Sequence, residues 1–226
     1  MDDAEKPKKT NMTRLITFEG IEGSGKTTQI RMAGAYLKAA GAPYIITGEP
    51  GGTPLGERIR KILLNRGAYP ISPEAELFLF LAARSQHVRD VILPALKQGK
   101  WVLCDRFFDA TLAYQGFGRG LNINFIKGHH DFSSGPLKPV RTILLDLPVE
   151  TGLGRAMDRI AQIKGKGVAL EDRFEREERE FHQKIREGYL TLAEAEPERY
   201  RIIDASREAA VVHRDICAQL EKLMAR

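Results

Sequence analysis

Short apolar segments recur along the chain and are separated by longer segments with helical periodicity. The apolar segments are continuous rather than alternating, which is typical of strands buried on both faces of a sheet. The pattern predicts strands at Arg14 to Phe18, Ala42 to Thr47, Trp101 to Asp105, Arg141 to Leu147 and Arg199 to Asp204.

The segments between these strands repeat apolar residues at helical spacing. The predicted helices are Thr27 to Ala40, Pro54 to Asn65, Pro73 to Gln98, Glu150 to Ile160, Phe174 to Glu196 and Arg207 to Met224. Parallel strands that alternate with helices are joined by right-handed crossovers. The order therefore predicts an α/β fold with a doubly wound, mostly parallel sheet.

The composition is typical of a soluble globular protein. It has 226 residues, of which 42% are hydrophobic and 29% charged, so one core and one domain are expected. We predict a disordered tail over residues 1–13 and a single domain over 14–226. No apolar run reaches the length of a membrane span and the first residues are not a secretory signal, so we expect a cytoplasmic protein with no membrane partner.

The net charge of +5 favours anionic ligands only weakly. A nucleic-acid partner is not needed to explain it, and none is expected. The two cysteines, Cys104 and Cys217, lie in an apolar run and an amphipathic stretch. We interpret them as buried free thiols, as expected in a reducing compartment, and not as a disulfide or a zinc site.

The run FEGIEGSGKTTQI, Phe18 to Ile30, joins a predicted strand to a predicted helix. It contains G-x-x-x-x-G-K-[ST], the P-loop pattern, in which backbone N–H groups and a helix N-terminus surround phosphate oxygens. A flexible glycine turn that only caps the helix is the alternative, and the structural context favours phosphate binding. The predicted ATP-binding residues are Gly20, Ile21, Glu22, Gly23, Ser24, Gly25, Lys26, Thr27 and Thr28.

Charged residues at this loop and after a later strand suggest phosphoryl chemistry. Lys26 is predicted to reach the β and γ phosphates, and Thr27 and Asp105 are predicted to hold Mg²⁺. Arg106 follows Asp105 directly and has a fork suited to a phosphate. The alternative is a simple ion pair between Asp105 and Arg106. The NKxD and DxxG motifs of GTPases are absent.

Phe80 and Arg84 lie four residues apart on one predicted helix face. An aromatic ring beside an arginine could stack on a base and donate to its carbonyl oxygen. The helix pattern alone favours Phe80 as an ordinary core residue over a role at a base. Arg84 within a mostly apolar stripe requires a partner.

Several motifs together resemble the bacterial thymidylate kinases, which phosphorylate dTMP with ATP. They are FEGIEGSGKTT, EPGGTPLGERIRKILL, LFLFLAARSQH, PALKQGKWVLCDRF, LAYQGFGRG, LLDL and DRFE, in the order typical of that family. The EPGGT and DRF…AYQG…RG elements are the most specific. The resemblance runs from about Leu15 to the C-terminus and is interrupted at Asn122 to Val140 and around Lys164.

The resemblance implies a role for each matching residue. Glu22 resembles the acid that organises the nucleotide sugar and the catalytic site. The implied dTMP-binding residues are Phe80 stacking on thymine, Arg84 at its O4, Gln115 at its N3, Thr111 near the 5-methyl group, and Arg60 and Arg106 at the phosphate, with Glu22 beside them. The resemblance also implies Mg²⁺ as cofactor and a homodimer.

The family supplies a basic residue near the transferring phosphate either from the P-loop or from a closing lid. The variable P-loop positions here hold no basic residue, so we expect the cation in a lid at about 158–173. Arg155 and Arg159 share one helix face and are the predicted catalytic cations, together with Lys26 and Arg106. Arg173 is a further candidate, and Lys164 and Lys166 are equally explained as solvated loop charges.

Two positions depart from the family pattern. Gly48 stands where many relatives have arginine before EPGG, and the lid is longer and poorer in arginine than usual. The sequence thus predicts a kinase that converts dTMP to dTDP with Mg·ATP for dTTP synthesis. A kinase for another nucleoside monophosphate and a nucleotide-dependent switch or binding module are the alternatives.

Overall fold

The structure is a computed structural model that describes residues 14–64, 70–163, 173–175 and 177–225. Within that part of the chain, a five-stranded sheet has the order β2-β3-β1-β4-β5, and every neighbouring pair is parallel. Its strands are β1 Leu15–Glu19, β2 Tyr44–Gly48, β3 Trp101–Asp105, β4 Arg141–Asp146 and β5 Tyr200–Asp204. The α/β fold with a doubly wound parallel sheet is confirmed.

The central strands are apolar along their length because both faces of the sheet are covered. All of β1 is buried, and so are residues Trp101 to Cys104 of β3 and Arg141 to Leu145 of β4. Helices therefore pack on both sides of the sheet. The helices are α1 Lys26–Ala39, α2 Pro54–Leu64, α3 Pro73–His87, α4 Leu93–Lys97, α5 Phe108–Thr111, α6 Ile123–Ser134, α7 Val149–Ile163, α8 Arg179–Ala195 and α9 Ala209–Met224.

The strand register brings the ends of three strands to one edge of the sheet. Phe18 and Gly48 both pair with Asp105, and Glu19 pairs with Leu144. The carboxyl ends of β1, β2 and β3 therefore lie side by side. Ligands bind at this edge in open parallel sheets.

Several helical segments differ from the predictions. The predicted helix Pro73 to Gln98 is divided by a π-helical turn, Val88–Ile92, which joins α3 to α4. A second π-helical segment, Leu112–Gly118, follows α5, and neither it nor α6 was predicted. Helix α8 begins at Arg179 and not at Phe174, because residues 173–175 form a turn.

Two predictions on domain organisation fall partly outside the described residues. The predicted tail, residues 1–13, lies outside them, and so do residues 164–172 of the predicted lid. Residues 158–163 of the lid form the last part of α7. Cys104 and Cys217 are both free thiols, as predicted, but only Cys104 is buried; Cys217 is half-buried, so that part of the prediction is wrong. In the described ranges no helix has both the length and the apolar character that a membrane span requires.

Candidate active site

The P-loop occupies the connection between β1 and α1. Lys26 is the first residue of α1, and its Nζ donates to the carbonyl oxygens of Gly20 and Ile21, at 2.9 and 2.8 Å. It also donates to Ser24 Oγ at 3.1 Å. The ammonium group is thereby held inside the loop that would surround a phosphate.

Lys26 is buried, and its charge is poorly solvated. Burial, followed by the neighbouring charge of Arg106, lowers the pKa of Lys26 to about 8. An anionic ligand beside Nζ would oppose both effects. The loop therefore holds a cation that is stabilised when phosphate is bound.

Thr27 and Asp105 bring two oxygen ligands together at the sheet edge. Asp105 is the last residue of β3, and Thr27 Oγ1 donates to its Oδ2 at 3.3 Å. In sites that bind nucleoside phosphates, Mg²⁺ is bound through one or two protein oxygens, phosphate oxygens and water. Across the described part of the chain no group of three or more His, Cys, Asp or Glu side chains is placed to hold a metal.

Arg106 turns back over the P-loop. Its φ of 66° lies in the left-handed region that few residues other than glycine adopt. The side chain donates from Nη2 to Glu22 Oε1 at 2.9 Å and from Nη1 to the carbonyl oxygen of Gly20 at 3.1 Å. The alternative of an Asp105–Arg106 ion pair is not what the structure shows, since Arg106 pairs with Glu22.

Glu22 is a buried carboxylate surrounded by donors. Tyr114 donates from its hydroxyl to Oε1 at 2.5 Å, and His182 Nδ1 lies 3.2 Å from Oε2. Burial by itself disfavours the charged form, but Arg106 and then His182 outweigh it and hold the pKa of Glu22 below its usual range. Glu22 is therefore ionised at neutral pH.

Arg84 is fully buried and has three polar partners. Its Nε donates to Glu49 Oε2 at 2.7 Å, and its Nη2 donates to Thr111 Oγ1 at 2.8 Å and to the Phe107 carbonyl oxygen at 3.1 Å. The other terminal nitrogen, Nη1, is buried and has no hydrogen-bond partner. A buried donor without a partner is costly unless a ligand accepts from it.

Glu49 extends this network to two further side chains. His87 Nδ1 lies 3.0 Å from Glu49 Oε1, and His87 Nε2 lies 2.6 Å from Thr47 Oγ1. Both oxygens of Glu49 therefore face partners, and the carboxylate fixes the guanidinium plane of Arg84.

Gln115 and Phe80 line the same cavity. Gln115 is buried in the second π-helical segment, and its Nε2 donates to Glu76 Oε1 at 2.8 Å. The ring of Phe80 is half-buried, with its centroid 6.4 Å from that of Phe174. Phe80 lines a cavity, so it is not simply a core residue.

The remaining predicted cations have contacts of their own. Arg60 Nη1 donates to the Pro50 carbonyl oxygen at 3.0 Å. Arg155 Nη1 donates to the Ala205 carbonyl oxygen at 2.9 Å, in the connection after β5, and Arg159 Nη2 donates to Glu175 Oε1 at 3.1 Å.

One cavity of about 1370 Å³ gathers these groups. All of the predicted site residues line it except Gly20 and Ile21. The volume exceeds the roughly 300–1,000 Å³ of an ordinary small-molecule pocket. It is large enough for two nucleotides.

Sequence reasoning missed several residues of this site. Tyr114 and Glu49 lie inside the quoted motifs AYQG and EPGG, so their place in the chain was visible although their contacts were not. His182 lies on α8, far along the chain from Glu22, and no local pattern distinguishes it.

Comparison with known proteins gives the same family at three levels. The family model described as "Thymidylate kinase" matches residues 18–216. The chain is 54% identical to a thymidylate kinase of Syntrophus aciditrophicus, covering 94% of this chain and 96% of that one. It is 48% identical to a thymidylate kinase of Carboxydothermus hydrogenoformans, covering 93% and 98% of the two chains.

The chain therefore belongs to the thymidylate kinase family.

A solved structure agrees with this assignment. The crystal structure of thymidylate kinase from Ehrlichia chaffeensis superposes with a TM-score of 0.72 at 31% identity, covering 92% of this chain and 98% of that one. The reaction of thymidylate kinases is the phosphorylation of dTMP to dTDP in dTTP synthesis, with ATP as donor. The predictions of fold, family, enzyme class and reaction are confirmed, and the alternative of a nucleotide-dependent switch is not supported.

Proposed function

We propose that this chain transfers the γ-phosphoryl group of Mg·ATP in line to the phosphate of dTMP within one large cavity. The observation that carries the proposal is that the P-loop and the Phe80–Arg84–Gln115 group line the same cavity. ATP binds on the P-loop side and dTMP on the α3 side. Arg106 lies between the two, because it follows β3 and contacts Glu22 of the loop.

The donor half is formed by residues 20–28. Backbone N–H groups of the loop and the N-terminus of α1 bind the phosphates of ATP. Lys26 Nζ, now bonded to loop carbonyl oxygens, is close enough to exchange those bonds for phosphate oxygens.

Thr27 and Asp105 are the residues that fit Mg²⁺. They supply a hydroxyl and a carboxylate oxygen 3.3 Å apart at the mouth of the loop, the oxygen donors that this hard cation prefers. When bound there, Mg²⁺ neutralises charge on the ATP phosphates. The two side chains also hold each other in place without it.

The acceptor half recognises the base and the phosphate of dTMP. Phe80 stacks on thymine, the unpaired Nη1 of Arg84 donates to its O4, and Gln115 contacts N3. Thr111 accepts from Arg84 Nη2, so besides its expected place near the 5-methyl group it holds that guanidinium in position. Arg60 and Arg106 bind the dTMP phosphate.

The reaction needs positioning and charge stabilisation and no covalent nucleophile. A phosphate oxygen of dTMP attacks the γ-phosphorus, and the cations on several sides stabilise the equatorial charge. Glu22, ionised and held by Arg106 and Tyr114, orients Arg106 toward the reacting groups. Arg155 and Arg159 are the cations that we expect to act from the lid side of the cavity.

We also infer a cytoplasmic homodimer. Three large apolar side chains are exposed on α2 and α3, namely Leu55, Ile62 and Phe78, with exposed fractions of 46%, 42% and 53%. The two helices pack against each other, and apolar groups exposed on a single chain favour contact with a second copy. Light scattering of the purified protein tests the dimer, and a monomer at micromolar concentration contradicts it.

The first test is ADP formation from Mg·ATP with each nucleoside monophosphate in turn. Strong stimulation by dTMP, weaker stimulation by dUMP, and none by AMP, CMP or GMP is expected. The difference in stimulation between dTMP and dUMP rests on one methyl group of the base, whose burial is worth roughly 1–3 kcal/mol. If no monophosphate accelerates turnover, the acceptor half is wrongly placed.

The second test separates the two halves. Arg84→Ala should raise KM for dTMP far more than KM for ATP, because Arg84 lies on the acceptor side. Equal loss for both substrates contradicts its assignment to the base. Thermal melting of the variant shows how far the loss of the buried Arg84–Glu49 ion pair destabilises the fold.

A further inference from the structure

Glu76 holds the side-chain amide of Gln115 in one orientation. Glu76 lies on α3 with no exposed surface, and its Oε1 accepts from Gln115 Nε2 at 2.8 Å. A carboxylate accepts hydrogen bonds and donates none, so the amide nitrogen has to face it. The amide oxygen of Gln115 therefore points away from Glu76.

That oxygen is the group that Gln115 can offer to a ligand. Gln115 lines the large cavity, and no residue in the described part of the chain donates a hydrogen bond to its Oε1. An acceptor at this place matches a base that carries N–H at ring position 3, as thymine does. Cytosine carries an acceptor nitrogen at the same position. The lone pair of that nitrogen would face the lone pairs of Gln115 Oε1, so no hydrogen bond would form.

Glu76 is itself held by two arginines. Arg119 donates from Nε to Oε1 at 3.2 Å and from Nη2 to Oε2 at 3.3 Å, and Arg173 Nη2 also donates to Oε2. Arg173 is fixed in turn, since its Nη1 donates to the Leu63 carbonyl oxygen at 2.9 Å. The carboxylate cannot turn without breaking several of these bonds.

We propose that Glu76 is a positioning residue that sets Gln115 as an acceptor and so selects a base with N–H at ring position 3. Glu76 has no contact with substrate in this proposal and acts through Gln115. The inference rests on the proposed placement of the dTMP base at Gln115.

The test replaces the acceptor-only carboxylate with an amide of the same shape. In Glu76→Gln the new amide can donate to Gln115, so the Gln115 amide is free to turn its nitrogen toward the cavity. We expect kcat/KM for dTMP to fall by about tenfold, because the N–H at ring position 3 loses its acceptor and faces another N–H donor. The fall should lie in KM for dTMP, with KM for ATP changed little, and the ratio of kcat/KM for dTMP to that for dCMP should narrow.

Glu177→Gln is the matched control. Glu177 also accepts from Arg119 Nη2, at 2.6 Å, but has no hydrogen bond with Gln115. It should leave both KM values and the dTMP-to-dCMP ratio unchanged. If both variants have the same effect, Glu76 acts only through the ion-pair network and the inference is wrong.

A double-mutant cycle with Gln115→Leu shows whether Glu76 acts through Gln115. If it does, Glu76→Gln adds nothing to the loss already caused by Gln115→Leu. Independent, additive losses overturn the inference while leaving the dTMP site intact. If Gln115→Leu alone leaves dTMP use unchanged, the proposed base site fails, and the inference fails with it.

Glu76→Asp serves if Glu76→Gln does not fold. It keeps the charge beside Arg119 and Arg173 but withdraws the carboxylate from Gln115 by one methylene. A folded Glu76→Asp variant with normal KM for dTMP and a normal dTMP-to-dCMP ratio contradicts the inference, and a raised KM with a narrowed ratio supports it.

Discussion

Arg106 donates a hydrogen bond from Nη2 to Glu22 Oε1 across 2.9 Å, which joins the end of β3 to the middle of the P-loop. Tyr114 donates to the same oxygen, and Arg106 Nη1 reaches the Gly20 carbonyl oxygen. The guanidinium is therefore positioned before substrate binds. Groups oriented in advance stabilise a transition state without the cost of reorganisation.

Arg106→Gln should reduce kcat/KM for dTMP by about 100-fold or more, since it removes a positioned cation from the reacting phosphates. It also removes the ion pair with Glu22. Because the lost cation acts on the reacting phosphates, activity should not be restored by higher substrate concentration. Steady-state kinetics at saturating Mg·ATP measures the loss.

Arg186→Gln is the control for Arg106→Gln. Arg186 forms an ion pair with Asp146 at 2.7 Å but does not line the cavity. It should leave kcat/KM within about twofold of the parent enzyme, as for a substitution away from the site. Equal losses in the two variants would mean that Arg106 acts through general stability.

ATP binding should take up a proton at alkaline pH. The pKa of Lys26 is lowered to about 8 by burial and then by Arg106, and bound phosphates favour its charged form. Above pH 8 the free enzyme has lost this proton and has to regain it, so ATP affinity falls as pH rises. Phosphate groups, with a second pKa near 6, are already ionised there.

Calorimetric titration with ATP in buffers of different ionisation enthalpy measures this proton. Lys26→Arg is the matched variant, because its guanidinium stays charged and should bind ATP without proton uptake. An affinity for ATP that is constant from pH 7 to 9.5 in the parent enzyme contradicts the prediction.

The parallel sheet was predictable because its signal is local. Each strand is a short, continuous apolar run such as WVLCD, and the predicted strand Trp101 to Asp105 matches β3 at both ends. The π-helical segment Leu112–Gly118 was not predictable, since AYQGFG contains two glycines that disfavour a regular helix. Tertiary contacts with α8 hold it.

The site was predictable only where a motif carried it. The P-loop residues and Asp105 lie at positions that the strand-to-helix pattern already marks. Glu76, by contrast, contacts Gln115, which lies 39 residues further along the chain. Glu22 of the P-loop lies beside His182 of α8. Such pairs depend on how the helices pack, which a single sequence does not contain.

Gly152→Ala should weaken ATP binding by separating the P-loop from α7. A Cβ at Gly152 would lie 2.6 Å from the Glu22 carbonyl oxygen, and a Cβ at Gly23 would lie 2.0 Å from the Gly152 carbonyl oxygen. Backbone therefore meets backbone here, and an added methyl group has to move the loop. We expect KM for ATP to rise by about tenfold and the melting temperature to fall by several degrees, as in overpacked sites.

Gly154→Ala tests the same helix without the contact. Nothing lies within 4 Å of a Cβ at Gly154. The change should leave KM for ATP unaltered and raise stability by up to about 1 kcal/mol, because alanine favours the helix. If Gly152→Ala behaves in the same way as Gly154→Ala, the close approach of loop and helix does not matter for ATP.

Glu19→Gln should change how stability depends on pH. Glu19 ends β1 with no exposed surface; Phe107 N donates to its Oε1 at 2.8 Å and Tyr189 donates to its Oε2 at 2.7 Å. Burial and then the charge of Asp109 raise the pKa of Glu19 from 4.5 to about 8. The folded protein thus holds this proton more tightly than the unfolded chain.

The direction of the effect follows from that difference. The contribution of Glu19 to stability is complete below pH 4.5 and is lost as pH rises to about 8, at a rate on the order of 1 kcal/mol per pH unit. Glutamine does not titrate, so the free energy of unfolding of Glu19→Gln should increase relative to that of the parent protein as pH rises from 5 to 8. Free energies of unfolding from urea titrations measure this, with the exposed Glu180→Gln as control. A difference between Glu19→Gln and parent that stays constant over this range would show that Glu19 is already ionised in the folded protein at pH 5.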